Sequence, residues 1–538
     1  MTTMRSAVLA HPREVAAAPL VADWCWWLGW ALLALGLAEV PLLLAACCGP
    51  SGWTGLGTFW FVNDFAQYES AMRQGAESAS WLVYDRFTPE PHAPALMFTA
   101  YVALGKLAAL LGLPALALYR PAELAARGAL LLGARQLVLA LVPGRAEQRL
   151  AAALLLFGMG LGVPAALVGA LLGISPYTGN GSYEVNSFGL LFSAPHVALA
   201  MGLTLSAAAI LARGRAWGAT LTFLTLAGFA LALLHPFHLP ALLAGFALST
   251  LLRWRRERTD TAPALLLLSF ALGAAPVLLY DTLTFGADPF WTATYNAQNL
   301  LPSPQPWQLL IEYGVLLLLA VPGALVAVRR GVPWRALLCW LAVALLASYA
   351  PVPFQRRLGF GLQPLLALLA AAGLPVVLAR LRPGPARLVR GGVLVLAFLT
   401  TASVAAGIVA SALWQEPLRP YRVDSDSAQA VEFLARQACA ADVVLADWDL
   451  SNYLAGQFAG RVVAGHPVAT VDAVARKVAL EQAGTDPARW QALVDQFQPS
   501  YVLYGPRQAG LPAPAGGARA IFRAGSAVVY ALGSSRCE

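Results

Sequence analysis

One acidic residue stands where it could act on a proton at a membrane surface. Asp64 lies sixteen residues beyond the apolar run that ends near residue 48, in the segment Phe61-Val-Asn63-Asp64-Phe65. A carboxylate flanked by aromatic side chains at such a surface is partly desolvated, so Asp64 could take a proton from a hydroxyl group as a general base. Asn63 beside it is a candidate substrate contact. A helix N-cap, for which Asn and Asp are both favoured, accounts for the same residues equally well.

A second acid, Glu184, lies in a short polar segment at 173–187 between two apolar runs. If this segment and Asp64 border one cavity, Glu184 could position a hydroxyl acceptor or hold a cation. A solvated loop carboxylate is the alternative interpretation.

Two titratable residues alternate with prolines in Thr88-Pro-Glu90-Pro-His92-Ala-Pro. The prolines keep the backbone extended and fix the directions of the side chains between them. Glu90 and His92 are therefore candidate substrate contacts, although rigid turns alone would also explain the prolines.

The pair Arg356-Arg357 departs from the usual distribution of charge in membrane proteins. The apolar runs and loop charges discussed below place it on the outer face, where arginines next to the bilayer need a reason. Guanidinium groups match phosphate oxygens in a bidentate way, so a phosphate at the interface would supply that reason. Ion pairing with Glu312, Asp281 or Asp288 is the structural alternative.

Four of the six histidines fall on the same side of the predicted membrane: His92, His196, His235 and His238. With Asp64 and Glu184 nearby, such a set could bind a divalent cation, but no two of them have a metal-ligand spacing. His196 and His235 are equally well explained as acceptor contacts or as hydrogen-bonded structural groups.

The composition defines the setting for these residues. Of the 538 residues, 59% are hydrophobic and 12% are charged, whereas about 25% charged is usual in soluble domains. A soluble enzyme is therefore excluded. A nucleic-acid binder is excluded as well, because the net charge of +8 comes from arginines in short loops between apolar runs.

Arginine-rich connections order the membrane spans. Twelve apolar runs precede residue 414, and five arginine clusters recur after every second run, which places them all on the cytoplasmic face. The N-terminal Arg5 and Arg13 belong to that face too, so one of the first three runs does not cross. The run at about 94–112, broken by prolines and glycines, is predicted to be interfacial. Eleven spans, a first outer loop at about 49–118 and a membrane domain at 1–413 follow.

The tail at 421–538 has a different composition and alternates predicted helices with apolar strands, which indicates a small extracytoplasmic α/β domain. Asp447, Asp449 and His466 follow predicted strands and are a possible separate site, although the two aspartates also suit helix caps. Cys439 and Cys537 could form a disulfide if the tail lies outside the cytoplasm.

Taken together, these features resemble the GT-C superfamily of polytopic glycosyltransferases, which includes protein O-mannosyltransferases and lipid A aminoarabinose transferases. The resemblance is one of topology: an outward Asp after the first span, an interfacial helix in the same loop, a second acid after the third span and an outer α/β tail. The segments that locally resemble bacterial GT-C-like proteins are Asn63-Asp64-Phe, Thr88-Pro-Glu-Pro-His, Pro195-His196, His235-Pro-Phe and Gln355-Arg-Arg-Leu.

The resemblance implies a GT-C-like bundle and an inverting transfer of a sugar from a polyprenyl-phosphate donor to a hydroxyl group of a lipid, glycan or protein. It implies that Asp64 is the catalytic acidic residue of the first loop and acts as general base, that Glu184 is a second acid, and that Arg356 or Arg357 grips the donor phosphate. The expected location is the outer face of a bacterial cytoplasmic membrane, with a divalent cation as a possible cofactor.

A secondary transporter or lipid-carrier flippase is the rival hypothesis. It predicts charged groups near the middle of the membrane and two related halves of the chain. Polar residues bunched on one face, an odd number of spans and a large soluble tail favour the transferase.

Overall fold

The structure is a computed structural model that describes residues 20–48, 51–58, 61–179, 186–296, 300–413 and 422–533 of the chain. The helices before the tail are α1 (Leu20–Cys48), α2 (Val62–Glu77), α3 (Thr99–Leu110), α4 (Tyr119–Leu141), α5 (Arg145–Phe157), α6 (Gly162–Leu172), α7 (Ser187–Leu190), α8 (Pro195–Arg213), α9 (Gly218–Leu234), α10 (Leu239–Trp254), α11 (Ala262–Ala287), α12 (Pro289–Trp291), α13 (Leu309–Arg330), α14 (Val332–Ala347), α15 (Leu362–Leu378) and α16 (Pro383–Leu413).

Most of these helices are membrane spans by length and composition. Within the described ranges, eight helical segments are long and apolar enough to cross a bilayer, and α5 with α6 makes a ninth candidate bent by 54°. The shorter helices α9 and α14 are also apolar, and at 17 and 16 residues they are close to the roughly 17 residues of the shortest transmembrane helices. The eleven crossings predicted from the arginines would need both of these helices as spans, and that count stays a prediction. The eight to nine candidate spans make the chain an integral membrane protein.

Helix α3 corresponds to the run predicted to be interfacial. It has 12 residues, which at 1.5 Å per residue is about 18 Å and too short for a hydrocarbon core of about 30 Å. It packs closely on α2, because Gly75 of α2 lies against the backbone of Val102 and Gly105 of α3 lies against the backbone of Met72. The first outer loop therefore carries a compact helix pair.

Small residues bring the spans together. The backbones of α4 and α8 meet at Gly133 and Gly202, and α13 and α15 meet at Gly323 and Gly373, positions with no room for a Cβ atom. Lipid tails are as apolar as leucine, so close van der Waals packing of this kind stabilises helix pairs in membranes.

The tail has the predicted α/β architecture. The elements are β2 (Arg422–Asp424), α17 (Ser425–Gln437), β3 (Val443–Leu445), α18 (Trp448–Gln457), β4 (Arg461–Val462), α19 (Ala473–Ala483), α20 (Pro487–Phe497), β5 (Tyr501–Tyr504), β6 (Arg519–Ala524) and β7 (Ala527–Ala531). Five strands form one sheet in the order β4-β3-β5-β7-β6, in which β3 is parallel to β4 and β5 and the pairs β5-β7 and β7-β6 are antiparallel. The side chains of Asp424, Asp447 and Asp486 cap α17, α18 and α20.

The tail is bound to the first outer loop along several lines of contact. Strand β1 (Trp53–Gly55) of that loop pairs with β2 in antiparallel register, and the N–H of Val462 donates to the carbonyl of Arg86 at 2.9 Å. Gly456 of α18 lies so close to α2 that a Cβ atom there would be 2.7 Å from Oε2 of Glu69 and 3.1 Å from the carbonyl oxygen of Ala66. These contacts place the tail directly over the start of α2.

The cysteines agree with the prediction in part. Cys439 is disulfide-bonded, whereas Cys25, Cys47, Cys48 and Cys339 are free. Cys537, the predicted partner, lies outside the described residues.

Candidate functional site

A cavity of about 780 Å³ opens where the membrane helices meet the first outer loop and the tail, within the range typical of small-molecule sites. Its polar and charged lining comes from α2, α3, α8, α11, the segments before α10 and α15, and the tail, and includes Asp64, Gln67, Tyr68, Tyr101, His196, His235, Asp281, Arg357 and His466. Its apolar lining includes Leu278, Phe285 and Phe354. Four residues predicted from the sequence, Asp64, His196, His235 and Arg357, thus share one cavity.

Asp64 is the third residue of α2 and does not cap it. The N-cap position is Phe61, whose backbone is left-handed with φ 58° and whose side chain makes no capping bond. The Asp64 carboxylate is one-third exposed and faces the cavity. A negative charge in the first turn is also favoured by the helix dipole, so this end of α2 is suited to an ionised carboxylate.

His466 of the tail contacts Asp64. Its Nε2 lies 3.3 Å from Oδ1 of Asp64, and its side chain is 1% exposed. Its Nδ1 accepts hydrogen bonds from the backbone N–H groups of Val468 and Ala469 at 3.1 and 3.0 Å. Because Nδ1 is an acceptor, the ring proton is on Nε2, which donates it to Asp64.

An aromatic wall continues from Asp64. Tyr68, one helical turn beyond Asp64, stacks on Tyr101 with ring centroids 4.2 Å apart. The Tyr101 hydroxyl lies 2.8 Å from Nδ1 of His196, and the edge of the His196 ring meets Tyr68. This wall therefore presents aromatic rings together with a hydroxyl–imidazole hydrogen bond to the cavity.

His235 and His238 form a pair at the start of α10. Their Nδ1 atoms are 3.0 Å apart, and the His235 ring stacks on Phe360 at 4.3 Å. Only His235 lines the cavity, because His238 is turned inward to a hydrogen bond of 2.9 Å with Thr204. His235 is therefore positioned to contact a ligand, and His238 supports it from behind.

The two neighbouring arginines share a small pocket but differ in their access to the large cavity. Arg357 lines the large cavity, with its guanidinium 4.6 Å from the centre of the Phe237 ring. Arg356 lines a much smaller pocket with Glu312 and Tyr313, which Arg357 also borders. Of the two, Arg357 is the one in reach of a ligand in the large cavity.

The three acids offered as partners for these arginines are placed differently, and Glu312 borders the same small pocket as both arginines. Glu312 accepts a hydrogen bond of 2.5 Å from the Tyr177 hydroxyl, and Asp288 caps the backbone of α12. Asp281 lines the same cavity as Arg357. The cavity therefore holds two carboxylates and one guanidinium group from different helices.

Glu90 is tied to the tail and does not line the cavity. Both of its carboxylate oxygens accept hydrogen bonds from Arg476, and one also accepts from Thr88. Burial by itself would raise the pKa of Glu90, but the hydrogen bonds from Arg476 and Thr88 outweigh it and lower the pKa. The structure thus gives this predicted substrate contact a structural role between loop and tail.

His92 is likewise placed away from the cavity. Its ring stacks on Phe290 at 4.1 Å, its Nε2 accepts from the N–H of Asp85 at 2.9 Å, and its Nδ1 lies 2.8 Å from the carbonyl of Glu90. Burial lowers its pKa, which favours the neutral ring. Both nitrogens are engaged within the loop, so the proline-rich segment is a scaffold rather than a wall of the cavity.

Asn63 and the tail aspartates lie at a second, small pocket between loop and tail. The carbonyl of Asn63 accepts from the Asn452 side chain at 3.3 Å. Asp447 caps α18 through the N–H of Leu450 at 3.0 Å, and Asp449 pairs with Arg507 at 3.5 Å. The sequence suggested one separate tail site made of Asp447, Asp449 and His466. The structure separates these residues, because His466 lines the large cavity and the two aspartates do not.

Two predictions from the sequence, Glu184 as a second acid and a bound divalent cation, are not represented among the described residues of the cavity. Glu184 lies outside the described residues. In the part of the chain that the structure describes, no three His, Cys, Asp or Glu side chains are grouped as metal ligands.

Several cavity residues escape sequence reasoning. Asp281 was considered only as an ion-pair partner, and Gln67 carries no motif. Tyr68 could have been found, because it lies four residues after Asp64 and so on the same helix face. His466 could not be assigned to Asp64, because the two are 402 residues apart.

Comparison with known proteins gives similar folds only. No family model and no curated protein matches the chain. Among solved structures, ArnT from Cupriavidus metallidurans bound to undecaprenyl phosphate has 16% identity and a TM-score of 0.48, covering 94% of this chain and 98% of that one.

Two further structures are comparably similar. The oligosaccharyltransferase AglB from Archaeoglobus fulgidus, in complex with an inhibitory peptide and a dolichol-phosphate, has 14% identity and a TM-score of 0.47, with 88% of this chain and 69% of that one covered. The arabinofuranosyltransferase AftD from Mycobacteria has 17% identity and a TM-score of 0.47, with 94% and 42% covered. All three are GT-C membrane glycosyltransferases, the superfamily that the sequence resembles. At these identities and TM-scores the likeness says nothing about the reaction, so the functional argument rests on the cavity.

Proposed function

We propose that this integral membrane protein is a glycosyltransferase that moves a sugar from a polyprenyl-phosphate donor to a hydroxyl acceptor, with inversion at the anomeric carbon. The observation that carries the proposal is the shared cavity, which brings a carboxylate from the start of α2 and a guanidinium group from the segment before α15 to one space. A base for a hydroxyl group and a site for a leaving phosphate are the two charged groups that this reaction needs.

The reaction is a single displacement. The acceptor oxygen attacks the anomeric carbon as its proton passes to the Asp64 carboxylate. The bond between the anomeric carbon and the phosphate oxygen breaks, and its electron pair stays with the polyprenyl phosphate, whose charge Arg357 stabilises. The apolar side of the cavity, with Leu278, Phe285 and Phe354, suits the first isoprenyl units, and Tyr68 and Tyr101 suit the sugar.

The sidedness of the reaction is part of the proposal. The arginine clusters favour an outer location for the cavity. The disulfide at Cys439 also favours an oxidising compartment for the tail. We therefore assign the reaction to the outer face of a bacterial cytoplasmic membrane, with a lipid, glycan or protein as acceptor. Glu184 is proposed to position that acceptor or to hold a divalent cation.

Every undecaprenyl-phosphate-linked sugar donor releases the same product, undecaprenyl phosphate, so the proposed reaction can be tested before the sugar is identified. The purified protein in nanodiscs is given a panel of undecaprenyl-phosphate-linked hexoses and pentoses together with membrane extract as acceptor, and released undecaprenyl phosphate is measured by mass spectrometry. At least one donor should be consumed, and Asp64→Asn should slow release by about 10²- to 10⁴-fold, the typical contribution of a general base.

The matched control is Asp449→Asn, the same change at a tail aspartate outside the large cavity, which should leave the rate unchanged. A folded Asp64→Asn protein with the wild-type rate contradicts the proposal. Loss of activity in Asp449→Asn would instead support a separate site in the tail. Movement of the lipid-linked sugar across proteoliposomes without release of undecaprenyl phosphate would identify a flippase.

A further inference from the structure

The tail contributes one imidazole to the cavity, and it comes from the only histidine of the tail, His466. This side chain is buried, its Nε2 lies 3.3 Å from Oδ1 of Asp64, and its ring edge meets Phe87 of the first outer loop. Val468 from the same loop of the tail also lines the cavity. The tail is therefore in contact with the proposed base itself.

The orientation of the imidazole is fixed by its own backbone. Two N–H groups, of Val468 and Ala469, donate to Nδ1. These two hydrogen bonds make Nδ1 an acceptor, so the arrangement puts a ring proton on Nε2. The ring therefore presents its Nε2–H to Asp64 as a hydrogen-bond donor.

The loop that carries His466 is itself anchored to the first outer loop. The hydroxyl of Thr470 accepts from the N–H groups of Gly465 and His466, both at 3.1 Å, and donates to the carbonyl of Phe87 at 2.8 Å. Gly465 passes so close to the backbone of Asn452 that a Cβ atom there would lie 2.7 Å from its nitrogen. The imidazole thus has a rigid support on both domains.

We propose that His466 is a positioning residue for Asp64 and that the tail completes the active site. The inference rests on the proposed function and adds to it. The N–H of His466 holds one carboxylate oxygen and leaves the other for the acceptor hydroxyl, so Asp64 is kept in one rotamer facing the cavity. Positioning of this kind contributes to the rate because small displacements of a catalytic group cost large factors.

Two substitutions separate this role from a structural one. In His466→Asn the side-chain oxygen takes the place of Nδ1, so the bonds from Val468 and Ala469 are kept and the donor to Asp64 is lost. In His466→Gln the side-chain amide reaches the place of Nε2, so the donor to Asp64 is kept. We expect His466→Asn to lower kcat about 10- to 100-fold with an unchanged donor KM, and His466→Gln to recover to within about threefold of wild type.

A double-mutant cycle tests whether the effect passes through Asp64. In the Asp64→Asn background, His466→Asn should have little further effect on the rate of undecaprenyl phosphate release, because the base that it positions is gone. Equal losses in both backgrounds would overturn the inference. So would a parallel fall of kcat and thermal stability in His466→Asn that His466→Gln does not correct.

The outcomes also distinguish the inference from the function beneath it. If the wild-type protein releases undecaprenyl phosphate from no donor, the proposed function fails. If wild type is active, Asp64→Asn is inactive and His466→Asn equals wild type, the function stands and the positioning role is refuted.

Discussion

Two groups of charged residues lie close to the membrane in this molecule, and they differ in what their charges face. Between α1 and α4, Glu39, Arg120, Glu123 and Arg127 bond to one another, and Arg127 is 2% exposed. In the cavity, Asp64, Asp281 and Arg357 come from separate elements and face a space of about 780 Å³. Charges that bond to one another hold helices together, whereas charges that border a cavity of this size lie where a ligand can contact them. The sequence shows both groups simply as charges beside apolar runs.

The ion cluster should affect folding and not catalysis. Arg127→Met removes the buried guanidinium that Glu39 and Glu123 share and leaves only the more exposed Arg120 to pair with both; breaking a buried pair in this way costs about 3–5 kcal/mol. We expect a large fall in the thermal unfolding temperature, with an unchanged transfer rate per folded molecule.

The matched control is Arg120→Met in the same cluster. Arg120 is 38% exposed, so solvent screens its pairs and the destabilisation should be much smaller. If Arg127→Met abolished transfer while leaving stability intact, the distinction between the two groups would collapse.

Glu69 belongs to neither group and should make stability depend on pH. It is buried on α2 near Gly456 of the tail. Burial raises its pKa from 4.5 to about 8, opposed by a hydrogen bond from Gln457. Because the folded state holds this proton more tightly than the unfolded state, the contribution is fully present below pH 4.5 and is lost as pH rises through about 8.

The size of this effect is on the order of a few kcal/mol, since each pKa unit corresponds to about 1.4 kcal/mol. Thermal unfolding of wild type and Glu69→Gln between these pH values checks it. The wild-type unfolding temperature should fall relative to that of Glu69→Gln as pH rises. Parallel curves would show that Glu69 is not protonated in the folded state.

The adjacent residues Arg356 and Arg357 test the difference between a charge that lines the large cavity and a charge that does not. Arg357→Gln removes charge-assisted hydrogen bonds to the proposed phosphate, worth about 1.5–3 kcal/mol, so donor affinity should fall about 10- to 100-fold. Arg357→Lys should recover part of the loss, because it keeps the charge but not the bidentate geometry. Binding of undecaprenyl phosphate to the protein in nanodiscs provides the measurement.

Arg356→Gln is the matched control, because Arg356 lines the smaller pocket beside Glu312 and should affect donor affinity much less. A lower thermal stability with unchanged donor KM in Arg357→Gln would assign this arginine to the fold.

Residue chemistry made part of the site predictable. The arginine pattern predicts one face of the membrane for Asp64, His196, His235 and Arg357. Residues on the same face can line the same cavity, so these four could be grouped from the sequence. The alternation of helices and strands likewise predicted the tail.

Other parts depend on contacts that no local pattern contains. Glu90 and His92 looked like ligand contacts because prolines fix their directions, but what they point at is set by Arg476 and Phe290, far along the chain. The same holds for His466, which the sequence groups with Asp447 and Asp449 of the tail, whereas the structure places it beside Asp64. The adjacent arginines could not be told apart either, because only the turn at Gln355–Gly359 decides that Arg357, and not Arg356, lines the large cavity in addition to the small pocket.

The most direct test of the account is a structure determined by electron cryomicroscopy of the protein in nanodiscs with undecaprenyl phosphate added. We predict density for the phosphate in the large cavity within hydrogen-bonding distance of Arg357, with the isoprenyl chain along Leu278 and Phe285 and Asp64 facing the phosphate. A lipid phosphate bound elsewhere, with the cavity unchanged by saturating lipid, would contradict the claim that this cavity is the donor site.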